Sequence, residues 1–164
     1  DFARQSAPDF RKVDFNDVIN RALDLATHSA DLRKIQVKKE LAPSLPDLTA
    51  DFDQLQQVFT NLILNAIQAM PGGGTLAIRT SFENEQFKTE VQDTGYGISP
   101  ENMRKIFTPF FTTKREVKGV GLGLAISYGI VQRHKGKIEV KSKAGEGTTF
   151  IVYIPGDVKT SEGK

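Results

Sequence analysis

Gln54-Leu55-Gln56-Gln57-Val58-Phe59-Thr60-Asn61-Leu62-Ile63-Leu64-Asn65-Ala66-Ile67-Gln68 reads as one long amphipathic helix. Leu55, Val58, Phe59, Leu62, Ile63 and Ala66 recur at helical spacing and form an apolar face. Asp51 or Asp53 opens the helix, which runs to about Met70 before Pro71 and three glycines break it. A second face gathers Gln54, Gln57, Asn61, Asn65 and Gln68. A surface helix normally carries Lys and Glu there. Neutral amides donate, accept and ligate hard cations through oxygen, which suits a face pressed against something polar. Each mid-helix Asn costs about half a kcal/mol of helix propensity. A solvated neutral face gives the same pattern, so the stripe alone leaves both readings open.

Outward from this helix, an earlier one is expected from about Asp14, with Phe15, Val18, Ile19, Ala22, Leu23 and Ala26 on one face. Residues 1–13 read as a linker. Ile35–Leu41 reads as a short strand. Thr75–Phe82 and Gln86–Gln92 alternate as a β-hairpin around Glu83-Asn84-Glu85. Ser99-Pro100 starts a helix. A basic loop over about 108–121 leads into a helix from about Leu122 to His134, with Gly136 as its C-terminal cap. Lys137–Lys143 and Thr148–Ile154 form a second hairpin, and 156–164 read as a frayed tail. Helices mixed with hairpin-linked strands imply helices packed on one face of a mixed sheet.

Composition bounds the chemistry. The 164 residues suffice for one domain with a sizeable core. The absence of cysteine excludes a disulfide scaffold, a thiolate metal site and a cysteine nucleophile, and it suits a reducing compartment. The two histidines leave little for a histidine-rich metal site. Charge is uneven. Residues 1–100 carry 10 Lys/Arg and 14 Asp/Glu, while 101–164 carry 12 and 6. The basic second half suits an anionic ligand or partner. No apolar leader opens the chain, and Asn, Gln and the Pro-Gly break interrupt the uncharged stretch from Gln54 to Ile78, so the chain is expected to be soluble.

Three glycine clusters follow. Asp93-Thr94-Gly95-Tyr96-Gly97 lies between a strand and a helix, Gly119-Val120-Gly121-Leu122-Gly123-Leu124 opens a helix, and Gly145-Glu146-Gly147-Thr148 joins the last hairpin. A glycine loop before a helix offers free N–H groups and a positive dipole end to phosphate. Neither of the first two has the dinucleotide spacing, no P-loop is present, and the third is most simply a turn. With a base at the first cluster, the Asp93 carboxylate can accept from an exocyclic amine, which adenine has and hypoxanthine lacks.

In this order the motifs resemble the ATP-binding catalytic domain of sensor histidine kinases, within the group shared with gyrase, heat-shock chaperone and mismatch-repair ATPases. Asn61-Leu62-Ile63-Leu64-Asn65-Ala66 resembles its N box, Asp93–Gly97 its first glycine box, Ile106-Phe107-Thr108-Pro109-Phe110-Phe111-Thr112-Thr113-Lys114 its phenylalanine box, and Gly119–Leu124 its second glycine box. The resemblance covers about Asp51 to Pro155, more loosely back to Asp14. It implies an α+β fold: a two-layer α/β sandwich with a mixed, mostly antiparallel sheet and helices on one face. Residues 14–155 would be the ATP-binding domain, after a linker from a missing dimerisation hairpin.

The resemblance also implies the roles. Asn65 would be the main Mg²⁺ ligand, with Asn61 nearby and Gln68 on the same stripe. Asp93 would read the adenine amine, supported by Thr148, with Gly95, Gly97 and Ile98 around the base. Gly119, Gly121 and Gly123, with Val120, Leu122 and Leu124 between and beside them, would bring backbone N–H groups to the phosphates. Lys105 and Lys114 would contact phosphate, and Thr112 and Thr113 would belong to a lid over about 108–120. The implied cofactors are ATP and Mg²⁺. The implied partners are the dimerisation and phosphoacceptor domain of the same kinase and a downstream response regulator, with no nucleic acid. The fragment would be a soluble cytoplasmic monomer, cut from a parent that could itself be membrane-anchored.

Asn61 stands where the ATP hydrolases of the group usually carry Glu, and an amide is no general base at neutral pH. That favours the histidine-kinase branch, where the nucleophile is an imidazole; the alternative reading of the whole chain is a non-catalytic ATP-binding regulatory module. Two departures stand out. Gln68 occupies a position that is often basic, and neither His28, followed by Ser29, nor His134, followed by Lys135, matches the phosphoacceptor pattern. The two histidines are therefore expected to be a helix-surface residue and a helix-end residue favoured by the dipole.

Overall fold

The central helix is capped as its sequence demands. In the computed structural model, which describes residues 8–28, 34–106 and 120–156, Asp51 precedes α2 (Phe52–Gln68) in extended conformation. Its Oδ1 accepts the Gln54 N–H at 3.0 Å, satisfying one of the orphan donors of the first turn. Leu55, Val58, Phe59, Leu62, Ile63, Ala66 and Ile67 are buried. α2 packs against both α1 (Phe15–His28) and α4 (Val120–Arg133). Asp14 caps α1, its Oδ1 accepting the N–H groups of Asn16 and Asp17 at 3.0 and 3.3 Å.

The strands build a five-stranded sheet in the order β2 (Ile35–Glu40), β4 (Gly74–Glu83), β5 (Gln86–Asp93), β7 (Gly147–Pro155), β6 (Lys137–Lys143). Only β2 and β4 run parallel, because the connection between them carries α2; the other pairs are antiparallel. One face is apolar and meets the helices, with Phe15 against Phe59 at 5.8 Å and against Phe87 at 5.1 Å between ring centroids. The other face is polar. There Arg79 joins Glu40 at 3.0 Å, Glu90 at 3.2 Å and Gln92 at 2.9 Å. The α+β two-layer arrangement is the one expected.

Three local readings differ. Arg11–Val13, inside the expected linker, form β1, which pairs antiparallel with β3 (Leu48–Ala50). Three residues are too few to show a period in sequence. α4 begins at Val120, so Gly121 and Gly123 lie in its first turns rather than in a loop. At its other end the left-handed residue is Lys135, with φ 64°, and not Gly136. Gly136 instead returns its N–H to Val131 O at 2.9 Å, the bond that closes a Schellman end. α3 (Pro100–Met103) is a single turn capped by Ser99, whose Oγ accepts the Asn102 N–H at 3.2 Å.

His134 is also not the dipole-favoured cation expected of a helix end. It is buried. Its Nδ1 donates to Ile130 O at 2.9 Å and its Nε2 accepts the Asp51 N–H at 3.1 Å. Only the neutral ring can do both. Burial lowers its pKa, outweighing the Ile130 carbonyl and the Asp51 carboxylate, which raise it. Phe10 stacks on the ring at 4.8 Å, and the Asp9 N–H reaches Asp51 Oδ2 at 2.8 Å. His28, as expected, is exposed. Among the described residues, no helix is long and apolar enough to cross a membrane.

Candidate functional site

The last residue of β5 is a carboxylate on the inner face. Inward positions alternate along β5 as Phe87, Thr89, Val91 and Asp93. Asp93 is 4% exposed. Its Oδ1 accepts the Gly95 N–H at 2.8 Å and the Thr148 N–H at 3.3 Å. Two backbone donors on one oxygen hold the carboxylate in place. Thr148 stands directly opposite Asp93 in the β5–β7 register, and Ser142 directly opposite Thr148 in the β6–β7 register. Asp93, Thr148 and Ser142 therefore form one row across three strands.

The chain leaving Asp93 is laced to two neighbours. The Tyr96 N–H donates to Ala69 O, at the end of α2, at 3.2 Å. The Tyr96 carbonyl accepts the Gly145 N–H from the β6–β7 turn at 2.6 Å, and the Ile98 N–H donates to Ser142 Oγ at 2.8 Å. Gly97 has φ 75°, and a Cβ there would lie 2.2 Å from Lys143 O. Gly147 has φ 112°, and a Cβ there would lie 2.3 Å from Asp93 O. The close approach these glycines permit is to the protein's own backbone. The third cluster is thus more than a turn, because it presses against the first.

The amide stripe divides by function. Asn61 Nδ2 donates to Gly123 O and to Ser127 Oγ, both at 3.2 Å. A carbonyl partner fixes which end of the amide is nitrogen. Asn61 therefore ties α2 to the start of α4, and Gly123 lies directly against its side chain. Ser127 is fully buried. Asn65, one turn on, is half-buried, and its amide makes no hydrogen bond among the described residues. Gln68 Oε1 is shielded from solvent and has no hydrogen-bond partner among the described residues. Apart from the exposed Gln57, the stripe is at least partly covered.

The remaining expected residues scatter. Ile98 is half-buried and packs on the core, and Leu124 belongs to the core itself. Val120, Gly121 and Leu122 open α4. Lys105 is exposed just beyond α3 and forms no ion pair among the described residues. Thr112, Thr113, Lys114, Gly119 and nearly all of the expected lid lie outside the described residues. Ser142 and Ser127 are the site residues sequence reading missed. Their signal was faint: each is a lone hydroxyl inside a regular element. No group of three or more His, Asp or Glu able to hold a metal ion occurs among the described residues. Amide oxygens can serve a hard divalent ion as ligands. The uncommitted Asn65 amide fits that donor set.

Residues 50–158 match the family model described as histidine kinase-, DNA gyrase B-, and HSP90-like ATPase. The chain belongs to this family. Sensor histidine kinase ZraS of Escherichia coli K12 is 43% identical over 143 residues, which are 87% of this chain and 30% of that protein. Sporulation kinase E of Bacillus subtilis is 31% identical over 154 residues, 93% of this chain and 21% of that protein. Among solved structures, the nucleotide-free catalytic domain of histidine kinase ThkA aligns with TM-score 0.79 at 30% identity, covering 90% of this chain and 96% of that one. Full-length ShkA in complex with AMPPNP aligns with TM-score 0.80 at 26% identity, covering 92% of this chain and 32% of that one. The chain spans less than a third of the curated kinases named here but nearly all of a histidine kinase catalytic domain. By family and by fold it stands with the catalytic domains of histidine kinases.

Proposed function

We propose that this kinase domain holds ATP with Mg²⁺ and delivers the γ-phosphate to a histidine on a separate dimerisation domain, from which a response regulator draws it. The observation that carries this reading is the Asp93 carboxylate, pinned by the N–H groups of Gly95 and Thr148 on the inner face. A buried, pre-oriented acceptor suits an amine-bearing base. The amide oxygens of Asn65 and Asn61 would hold Mg²⁺, which when bound offsets phosphate charge. The first turn of α4, held by Asn61 through Gly123, presents backbone N–H groups to anionic oxygens. Lys105 and Lys114 supply positive charge to the same phosphates. The domain thus contributes position and electrostatics to an in-line transfer.

Asn61 cannot activate water, so the attacking group must bring its own nucleophilicity. An imidazole does. His134 is unavailable for that role, because both ring nitrogens are engaged.

The test is to incubate the chain with γ-labelled ATP, alone and with an added phosphoacceptor hairpin domain. Acid-labile label should appear only on the added domain. Label on His28 or His134, or no transfer despite ATP binding, contradicts the proposal; the latter outcome describes a non-catalytic nucleotide module.

A further inference from the structure

The Ser142 hydroxyl makes three short contacts and has one proton to give. The Ile98 N–H donates to its Oγ at 2.8 Å. Its Oγ lies 3.0 Å from the Gly147 carbonyl and 2.7 Å from Thr148 Oγ1. A carbonyl can only accept, so the Ser142 proton must point at Gly147 for that contact to be a hydrogen bond. Thr148 must then spend its own proton on Ser142. In the reverse arrangement two oxygens would face each other at 3.0 Å with no hydrogen between them. Only the first arrangement satisfies all three contacts, and Thr148 is left with lone pairs alone for any ligand. Thr148 stands beside the Asp93 carboxylate, itself an acceptor.

We propose that Ser142 is a positioning residue that locks the Thr148 hydroxyl as a hydrogen-bond acceptor, so that the site favours a purine bearing an amine over one bearing a carbonyl. This rests on the reading of Asp93 and Thr148 as the base-recognising pair. Two adjacent acceptors welcome an amine and repel a carbonyl oxygen. Without Ser142, the Thr148 proton is released, and the hydroxyl can turn to donate to a carbonyl. Ser142 reaches the base only through Thr148.

The experiment is a calorimetric titration of the whole chain with ATP and with inosine triphosphate, whose base carries a carbonyl in place of the amine. The wild-type chain should prefer ATP. Ser142→Ala should narrow that preference about fivefold, the worth of one net hydrogen bond, and Ser142→Thr should restore it. In a Thr148→Val background, Ser142→Ala should change nothing further. A merely structural role for Ser142 weakens both nucleotides equally and leaves the ratio intact, which overturns the proposal. If Ser142→Ala does not fold, Thr148→Val decides: an unchanged ratio overturns the proposal, and a narrowed one supports it. A folded wild-type chain that binds neither nucleotide, or binds both equally, overturns the base-site reading itself and this proposal with it. A wild-type preference that survives Ser142→Ala overturns the proposal alone.

Discussion

Asp93 Oδ1 lies 3.3 Å from the backbone nitrogen of Thr148, and the two residues are direct cross-strand partners in β5 and β7. They are separated by 55 residues in sequence. The sheet register therefore does the positioning, and the loop after β5 only completes it by adding the Gly95 N–H. A site placed by the ladder keeps its geometry before ligand arrives.

The glycines of the first box support that geometry mechanically. Gly97→Ala must place a side chain at φ 75°, with its Cβ 2.2 Å from Lys143 O. The backbone conformation alone costs about 1 kcal/mol, and the collision adds to it. Gly72→Ala is the control, because nothing lies within 4 Å of a Cβ there. Urea unfolding should show a lower midpoint for Gly97→Ala and a midpoint near wild type for Gly72→Ala. Equal midpoints contradict the packing argument.

Asn61 and Asn65 look alike in sequence and should behave differently. Asn61→Ala removes the donors to Gly123 O and Ser127 Oγ. It should destabilise the nucleotide-free chain by about 1–3 kcal/mol, since a buried hydroxyl loses a partner. Asn65→Ala should leave nucleotide-free stability within about 0.5 kcal/mol and instead remove the Mg²⁺-dependent part of ATP affinity. Chemical denaturation, paired with titrations with and without Mg²⁺, separates the two.

Much of this was legible in the sequence, and the exceptions share a cause. The α2 period, both hairpins and the glycine boxes are local patterns. Each survives in a window of a dozen residues. Arg11–Val13 and Leu48–Ala50 did not show as strands, because each finds its hydrogen bonds only in the other. Ser127 and Ser142 were invisible for a related reason: their importance lies in Asn61, Ile98 and Thr148, brought to them by the fold. His134 was misread because sequence shows a helix end but not the Asp51 N–H waiting there. The amide stripe is visible in sequence, but α4, which meets it at Asn61, is brought there only by the fold.

That histidine makes stability depend on pH. Burial lowers its folded pKa below the unfolded value of about 6.5. The unfolded state then binds the proton more readily, so stability rises with pH through this window. The contribution is complete above about pH 6.5 and is lost as pH falls toward the folded pKa. Protonation also removes the Nε2 acceptor of the Asp51 N–H. Unfolding midpoints measured from pH 7.5 down to 5.5 should fall more steeply for the wild-type chain than for His134→Gln. Parallel curves contradict the assignment of a neutral His134.

Asp93 is proposed to read an amine-bearing nucleotide base. Calorimetric titration of the chain with ATP in the presence of Mg²⁺, beside Asp93→Asn, tests it most directly. Hydrogen bonds to a charged group are worth about 1.5–3 kcal/mol, so the substitution should weaken ATP binding by about tenfold to a hundredfold while the chain stays folded. Undiminished ATP binding by a folded Asp93→Asn chain would contradict the account.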